Sequence, residues 1–134
     1  MLLFAFTSSA QNTLQVNISP IKTYKGNLLI SVFNSPEGYP GDEKKAIYKY
    51  KIESLNSSKI SHKIEGLKPG TYAISILHDE NGDMICNTNA LGIPTEAIGN
   101  SNNPKLLFGP PKFKDAQFHY NGKNLILDIN LKYF

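Results

Sequence analysis

Alternation of apolar and polar residues at every second position is the feature that most constrains this chain. Leu14, Val16 and Ile18 alternate with polar residues near the start, and the run 125–131 alternates near the end. Successive side chains of a β-strand point to opposite faces, so a period of two predicts strands with one buried face. No stretch has the helical period over a useful length, which argues against a fold of alternating strands and helices.

Several more segments of this kind bring the total to about seven strands. Turn signals separate them, among them Asn121-Gly122, the residue pair typical of a β-hairpin. Asp42 is suited to cap a short helical turn over 42–49. The predicted strands cover 14–18, 28–33, 50–53, 59–65, 71–78, 116–120 and 125–131. Short strands with frequent turns predict an all-β fold, namely an antiparallel β-sandwich of about seven strands of the immunoglobulin-like kind.

One long segment, residues 79–112, interrupts this spacing because no part of it has a clear strand pattern. Loops of this length are uncommon in compact domains and are usually functional or disordered. The segment contains enough apolar residues to pack, and Gly109-Pro110-Pro111 stiffens its exit because proline restricts φ. We therefore expect an ordered loop that caps one end of the sandwich.

The N-terminal residues M-L-L-F-A-F-T-S-S-A have an apolar run followed by Ser8 and Ala10, small residues at −3 and −1 of a cut before Gln11. This pattern is typical of the end of a secretory signal peptide. We interpret 1–10 as a signal-peptide remnant and 11–134 as a single β-sandwich domain, which predicts a periplasmic or secreted protein. A buried first strand is the alternative interpretation of the same apolar run.

The composition argues against two classes of partner. All fourteen basic residues are Lys, and they are scattered despite a net charge of +3, so nucleic-acid binding is not expected. No apolar segment reaches the roughly 20 residues that a membrane-spanning helix needs.

The single cysteine, Cys86, cannot form an internal disulfide, and we predict that it is a small apolar residue buried in the loop.

Oxygen-bearing side chains recur in H-D-E-N-G-D-M-I-C-N-T-N, residues 78–89, as in the first half of an EF-hand-type calcium loop. The second half departs from that pattern, since Met84 stands at the glycine position and Ala90 at the closing glutamate position. We therefore predict either a weak calcium site or a polar turn whose side chains bond their own backbone. The predicted calcium ligands are Asp79, Asn81, Asp83, the carbonyl of Ile85, and Asn87.

Other chemistry has weaker support in the sequence. His62, His78 and His119 lie on three different predicted strands without the spacing of a zinc site. No nucleophile motif is present, but a pair of carboxylates facing each other would suit a hydrolase. The acidic residues that could form such a pair are Asp79, Glu80 and Asp83, together with Asp42 and Glu96.

Six short motifs occur in order along the chain. They are V-F-N-S-P-E-G-Y-P-G-D at 32–42, G-L-K-P-G-T-Y-A at 66–73, H-D-E-N-G-D at 78–83, L-G-I-P at 91–94, S-N-N at 101–103 and F-G-P-P at 108–111. Together they resemble the bacterial family catalogued as domain of unknown function 2141, over 14–133. The second motif is also similar to turns of transthyretin-like and carboxypeptidase-regulatory-like sandwiches.

The family resemblance implies a small exported β-sandwich protein and no established activity. In the usual pattern of the family, residues 78–89 read closer to H-D-E-N-G-N-G-K-L-D-T-N. Met84 therefore replaces a glycine in this chain, and Asn87 replaces an aspartate. Both departures weaken the calcium hypothesis for this member.

Our leading hypothesis from the sequence is a non-enzymatic exported module that binds a small molecule, sugar or peptide at its loop end, residues 79–112. Amides and aromatic rings suit such ligands. The predicted ligand-binding residues are Tyr39, Asn89, Asn102, Asn103 and Phe108. One alternative is a small carboxylate-dependent hydrolase that uses the same loop end. Another is a structural envelope protein that packs against a partner through a sheet face.

Overall fold

The computed structural model describes residues 12–107 and 109–134. Within these ranges the chain forms two short helices, a 3-10 turn at Glu43–Lys45 and α1 at Phe113–Ala116. The eight strands found there are β1 (Thr13–Ser19), β2 (Asn27–Phe33), β3 (Tyr48–Ile52), β4 (Ile60–Glu65), β5 (Gly70–Asp79), β6 (Ile98–Asn100), β7 (Phe118–Tyr120) and β8 (Leu125–Asn130). Both helices in these ranges are far too short to span a bilayer.

The strands form two sheets that enclose one core. The three-stranded sheet has the order β4-β1-β8, and the five-stranded sheet has the order β3-β2-β5-β6 with β7 paired to the first residues of β5. The predicted all-β sandwich fold is confirmed. All seven predicted strands are present, and the predicted cap of the short helical turn is also present, since Asp42 Oδ1 accepts the N–H of Lys44 at 3.2 Å.

The period-two alternation determines which side chains form the core. Leu14, Val16 and Ile18 on β1 are fully buried against apolar residues of β2 and β5. Burying an aliphatic side chain contributes about 1.5–3 kcal/mol, so this face stabilises the fold. On β5 the buried face is Tyr72, Ile74, Ile76 and His78.

Two features of the pairing differ from the sequence-based expectations. β1 pairs with β8 in parallel, with Leu14 opposite Leu125. The hairpin predicted at Asn121-Gly122 is wrong, because β7 belongs to the five-stranded sheet and β8 to the three-stranded sheet. The turn is instead a corner between the sheets, in which Asn121 Oδ1 accepts the N–H of Lys123 at 3.0 Å. Burial of Tyr120 and Ile129 in the common core outweighs the local turn preference.

Residues 79–112 contain a strand that the sequence pattern did not predict. β6 pairs with β5, and Ile98 exchanges backbone hydrogen bonds with Lys132 at 3.1 and 2.8 Å, which joins the two sheets. The strand is short and contains Gly99, so it has little alternation to detect. A Cβ at Gly99 would lie 2.9 Å from Ile129 Cγ2, which shows how closely β6 packs on the core.

The outer face of the five-stranded sheet is divided into two halves. At one end, Phe33 and Ala73 are covered by Phe113 and Ala116 of α1, and Tyr39 packs on this second core. At the other end the outward side chains are Leu29 and Ser31 of β2 with Ser75 and Leu77 of β5. This second half forms the floor of the site described next.

Candidate functional site

The chain between β5 and β6 forms a small projecting unit, which we call the 80–97 lobe. Its outer part is a narrow turn, in which the N–H of Asn89 donates to the carbonyl of Ile93 and the N–H of Thr95 donates to that of Asn87, both at 2.9 Å. At its base, the N–H of His78 donates to the carbonyl of Ala97 at 2.9 Å. The lobe is therefore an ordered extension of the sheet, as expected for part of residues 79–112.

Three carboxylates meet at the base of the lobe. Asp79 ends β5, Asp83 lies in the first turn of the lobe, and Glu96 lies two residues before β6. One oxygen from each lies within 4.8 Å of the other two. Asp79 is 0% exposed and Glu96 is 7% exposed, whereas Asp83 is open to solvent.

Each buried carboxylate uses one oxygen to hold the backbone. Asp79 Oδ2 accepts the N–H of Met84 at 2.9 Å, and Glu96 Oε2 accepts the N–H of Glu80 at 2.7 Å. The second oxygens, Asp79 Oδ1 and Glu96 Oε1, are buried and have no hydrogen-bond partner among the described residues. Buried polar atoms in proteins are almost always bonded, so two such oxygens in one place make this cluster a candidate binding site.

The structure places the predicted calcium ligands in two groups. Asp79 and Asp83 lie together with Glu96. The amide of Asn81 lies beside Asp83 and donates to Asp83 Oδ2 at 3.2 Å and to Asn87 Oδ1 at 3.1 Å. The N–H of Ile85 donates to Asp83 Oδ1 at 2.9 Å. This backbone hydrogen bond is the main reason that the pKa of Asp83 is lowered. Side-chain hydrogen bonds with the Asn87 and Asn81 amides lower the same pKa by less.

An apolar groove of about 900 Å³ lies on the outer face of the five-stranded sheet, beside the lobe. The described parts of residues 79–112 form walls over a sheet face, whereas the sequence predicts a cap over one end of the sandwich. The groove floor is Leu29, Ser31, Ser75 and Leu77. The walls come from the lobe, from residues after β6 and from the loop before the 3-10 turn, and include Met84, Ile85, Leu91, Ile93, Leu106, Leu107, Pro40 and Pro111.

The rim of the groove is unusually apolar for a protein surface. Leu91 is 84% exposed, Leu107 is 73% exposed and Ile85 is 61% exposed, and all three line the groove. Single exposed apolar residues are ordinary, but a contiguous exposed group marks an interaction surface.

Four of the predicted ligand-binding residues, namely Tyr39, Asn89, Asn102 and Asn103, form hydrogen bonds within the chain. Tyr39 donates its hydroxyl to Asn100 Oδ1 at 2.6 Å and packs edge-on against Phe33 and Phe113, with ring centroids 5.2 and 5.9 Å away. Desolvation by this packing raises the pKa of Tyr39 above its ordinary value. Phe108 lies outside the described residues, so its predicted role is untested.

The three asparagines hold loops in place. Asn89 Oδ1 accepts the N–H groups of Leu91 and Ile93, and Asn102 donates to the carbonyl of Gln117. Asn103 bridges to β8, since it donates to the carbonyl of Asp128 at 3.0 Å and accepts the N–H of Asn130 at 2.8 Å. A ligand would have to displace these bonds to use the amides, and their role in binding stays a prediction.

Cys86 is exposed, so the prediction that it is buried in the loop is wrong. It lies in the lobe and lines the groove, where the main chain of a small projecting unit cannot enclose it. Partial desolvation, and secondarily the charge of Glu96, raise the pKa of its thiol. Such a thiol is a poor nucleophile at neutral pH.

Sequence reasoning missed two parts of this site. The sequence presents Glu96 only as a member of a possible catalytic carboxylate pair, because it lies thirteen positions beyond Asp83 and no loop motif links them. The groove had a weak signal in β2 and β5, whose outward positions carry Leu29 and Leu77 where a solvated sheet face would be polar.

Comparison with known proteins gives a family and a distant structural likeness. The family model described as "Uncharacterized protein conserved in bacteria (DUF2141)" matches residues 16–127. No curated protein matches the chain. A fimbrial assembly protein from Parabacteroides distasonis ATCC 8503 is similar in structure, with 12% sequence identity and a TM-score of 0.41. The match covers 91% of this chain and 53% of that one, so the chain spans about half its length.

Proposed function

The chain belongs to the bacterial family DUF2141, as its motifs predicted, and we propose that this member is an exported accessory module that binds an apolar segment of a partner protein. The binding site is the groove on the outer face of the five-stranded sheet. The observation that carries the proposal is an apolar groove of about 900 Å³ with exposed aliphatic residues at its rim. The small residues that end the N-terminal apolar run support the export part of the proposal.

The shape and exposure of the rim favour a protein segment over a small molecule. A groove of this volume is within the range of small-molecule sites. A ligand confined to the floor, however, would leave Leu91 and Leu107 in water, at 84% and 73% exposure. A partner segment that crosses the groove covers both the floor and the rim, as in the apolar centre of a protein interface. Met84 adds a flexible side chain that adapts to different apolar partners.

The arrangement of polar groups supports a binding role over the hydrolase alternative. The Asp79 and Glu96 carboxylates are buried, and one oxygen of each lies within 4.8 Å of the other. Glycosidase carboxylates flank a bound sugar and must be accessible to it. Burial keeps a substrate away from these two carboxylates.

Selection from a random peptide library displayed on phage tests the proposal. Purified protein should enrich peptides rich in aliphatic and aromatic residues, and these peptides should compete with the dye 8-anilinonaphthalene-1-sulfonate for the folded protein. The substitution Ile85→Gln should weaken peptide binding by roughly tenfold or more, since a buried apolar contact contributes about 1.5 kcal/mol or more.

Ile126→Gln is a matched control. Ile126 is also 61% exposed but lies on β8, on the three-stranded sheet. The same chemical change at Ile126 should leave peptide affinity within twofold. Equal losses from both substitutions, or selection of polar peptides with no dye competition, would contradict the groove as the binding site.

A further inference from the structure

The groove does not explain the two buried carboxylates at the base of the 80–97 lobe. Asp79 is 0% exposed and Glu96 is 7% exposed, and each has one oxygen without a hydrogen-bond partner among the described residues. Leaving a buried charged oxygen without a partner is costly, and two carboxylates side by side also repel each other. An ion pair with a cationic side chain would offset both the cost of burial and the repulsion. The two ion pairs among the described residues, Lys45–Glu37 and Lys51–Glu53, do not involve these carboxylates.

The oxygens lie close enough together to bind one calcium ion. Calcium–oxygen bonds are about 2.4 Å long, so two ligands on opposite sides of the ion lie about 4.8 Å apart. One oxygen from each of Asp79, Asp83 and Glu96 lies within 4.8 Å of the other two. All three donors are carboxylate oxygens, which are the ligands of hard cations, and Asp83 is open to solvent and leaves an entry path.

We propose that Asp79, Asp83 and Glu96 form a calcium-binding site that ties the lobe to the end of β5. The ligand set differs from an EF-hand-type loop, because the third carboxylate comes from the far end of the lobe at Glu96. The ion would join both ends of the lobe, since Asp79 precedes it and Glu96 nearly ends it. Water and the neighbouring amides complete the coordination that calcium requires. This proposal does not rest on the peptide-binding function.

Calorimetric titration and thermal melts with calcium chloride or EDTA test the site in the full chain. We expect one calcium per chain with a Kd of roughly 10⁻⁴ M, as in extracellular modules. At about 100 times that concentration, the Tm should rise by roughly 5–10 °C, since calcium binds only the folded chain. Magnesium, which demands a tighter octahedral site, should raise the Tm less. No heat of binding and no Tm shift at 10 mM calcium would overturn the proposal.

The substitutions Glu96→Gln and Asp79→Asn separate a metal site from a purely structural role. Each variant keeps an oxygen for its backbone N–H and removes one charge. In EDTA its Tm should equal or exceed that of the original chain, because repulsion is relieved, and calcium should no longer raise it. A Tm lowered equally in EDTA and in calcium would show a structural carboxylate and overturn the metal site.

Two further variants complete the design. Glu80→Gln makes the same change beside the cluster, at a residue outside the carboxylate set, and should retain the calcium response. Asp83→Asn changes the exposed ligand, so it tests the site even if the buried variants do not fold. We expect its calcium affinity to fall by about tenfold or more. Unchanged affinity in Asp83→Asn would remove Asp83 from the ligand set and contradict the three-carboxylate site.

Discussion

At the scale of single residues, Met84 adopts a backbone conformation that residues with a side chain disfavour. Its φ is +61°, in the left-handed region that disfavours side chains with a Cβ. Glycine, which has no Cβ, would adopt this conformation without strain. The strained backbone lets the N–H of Met84 reach the buried Asp79 carboxylate at 2.9 Å.

We predict that Met84→Gly stabilises the protein. Relief of the left-handed strain contributes roughly 1–2 kcal/mol, and the greater freedom of glycine in the unfolded chain offsets about 0.5–1 kcal/mol. The expected net gain is therefore about 0.5–1 kcal/mol in the free energy of unfolding, measured by urea denaturation in EDTA. Met84→Ala removes the same side chain beyond Cβ but keeps the strain, so it should show no gain. Equal stability of the two variants would mean that strain at this residue is not the cause.

At the scale of elements, a buried serine joins three parts of the fold where β6 ends. Ser101 is 1% exposed, and its hydroxyl accepts the N–H of Ile74 at 2.9 Å and donates to the carbonyl of Ala116. The side chain thus continues the pairing of β5 beyond the short strand β6 and attaches α1 to the sheet. No local pattern marks this role, because Ser in a loop has many other uses.

Ser101→Ala should therefore destabilise the fold by about 2 kcal/mol, because it leaves a buried N–H and a buried carbonyl without their partner. Chemical denaturation measures this loss directly. Ser35→Ala, at an exposed position, is the control and should change the free energy of unfolding by less than about 0.5 kcal/mol. If the two variants are equally stable, the hydroxyl of Ser101 does not hold α1 and β5 together.

At the scale of the whole molecule, an aromatic contact closes one side of the sandwich. His62 on β4 packs against Tyr50 on β3, with ring centroids 4.6 Å apart, so the contact joins the edge strands of the two sheets. His62 Nε2 is buried and has no hydrogen-bond partner among the described residues. Burial lowers the pKa of His62 from its ordinary value of 6.5.

This contact predicts a loss of stability in mild acid. Above pH 6.5 the imidazole is neutral in both the folded and the unfolded chain, and its packing contributes fully. As the pH falls below 6.5, the unfolded chain takes up the proton first, so the free energy of unfolding decreases until the pH reaches the lower pKa of the folded state.

Denaturation curves between pH 7.5 and about 4.5 measure this dependence. His62→Leu should remove this part of the pH dependence, because an apolar side chain fills the same place without titrating. His119→Leu, at an exposed position on β7, should leave the slope unchanged. An identical slope in the original chain and in His62→Leu would show that His62 does not control acid stability.

The sequence by itself determined the strands and their buried faces. Alternation is a local property, and Leu14, Val16 and Ile18 are buried as the period of two predicts. The motifs also determined the family, and Asp79 and Asp83 could be identified as neighbours in space because they are neighbours in the chain. These features depend on residues only a few positions apart.

Only the tertiary structure decided how distant segments meet. Strand pairing across the core placed β8 parallel to β1 and separated β7 from β8, although Asn121-Gly122 favours a hairpin. The return of the chain through β6 brought Glu96 to Asp79 and raised the lobe beside an apolar sheet face. Such contacts depend on the total area that is buried in the folded core. That total is a sum over residues far apart in sequence, so no local sequence pattern contains it.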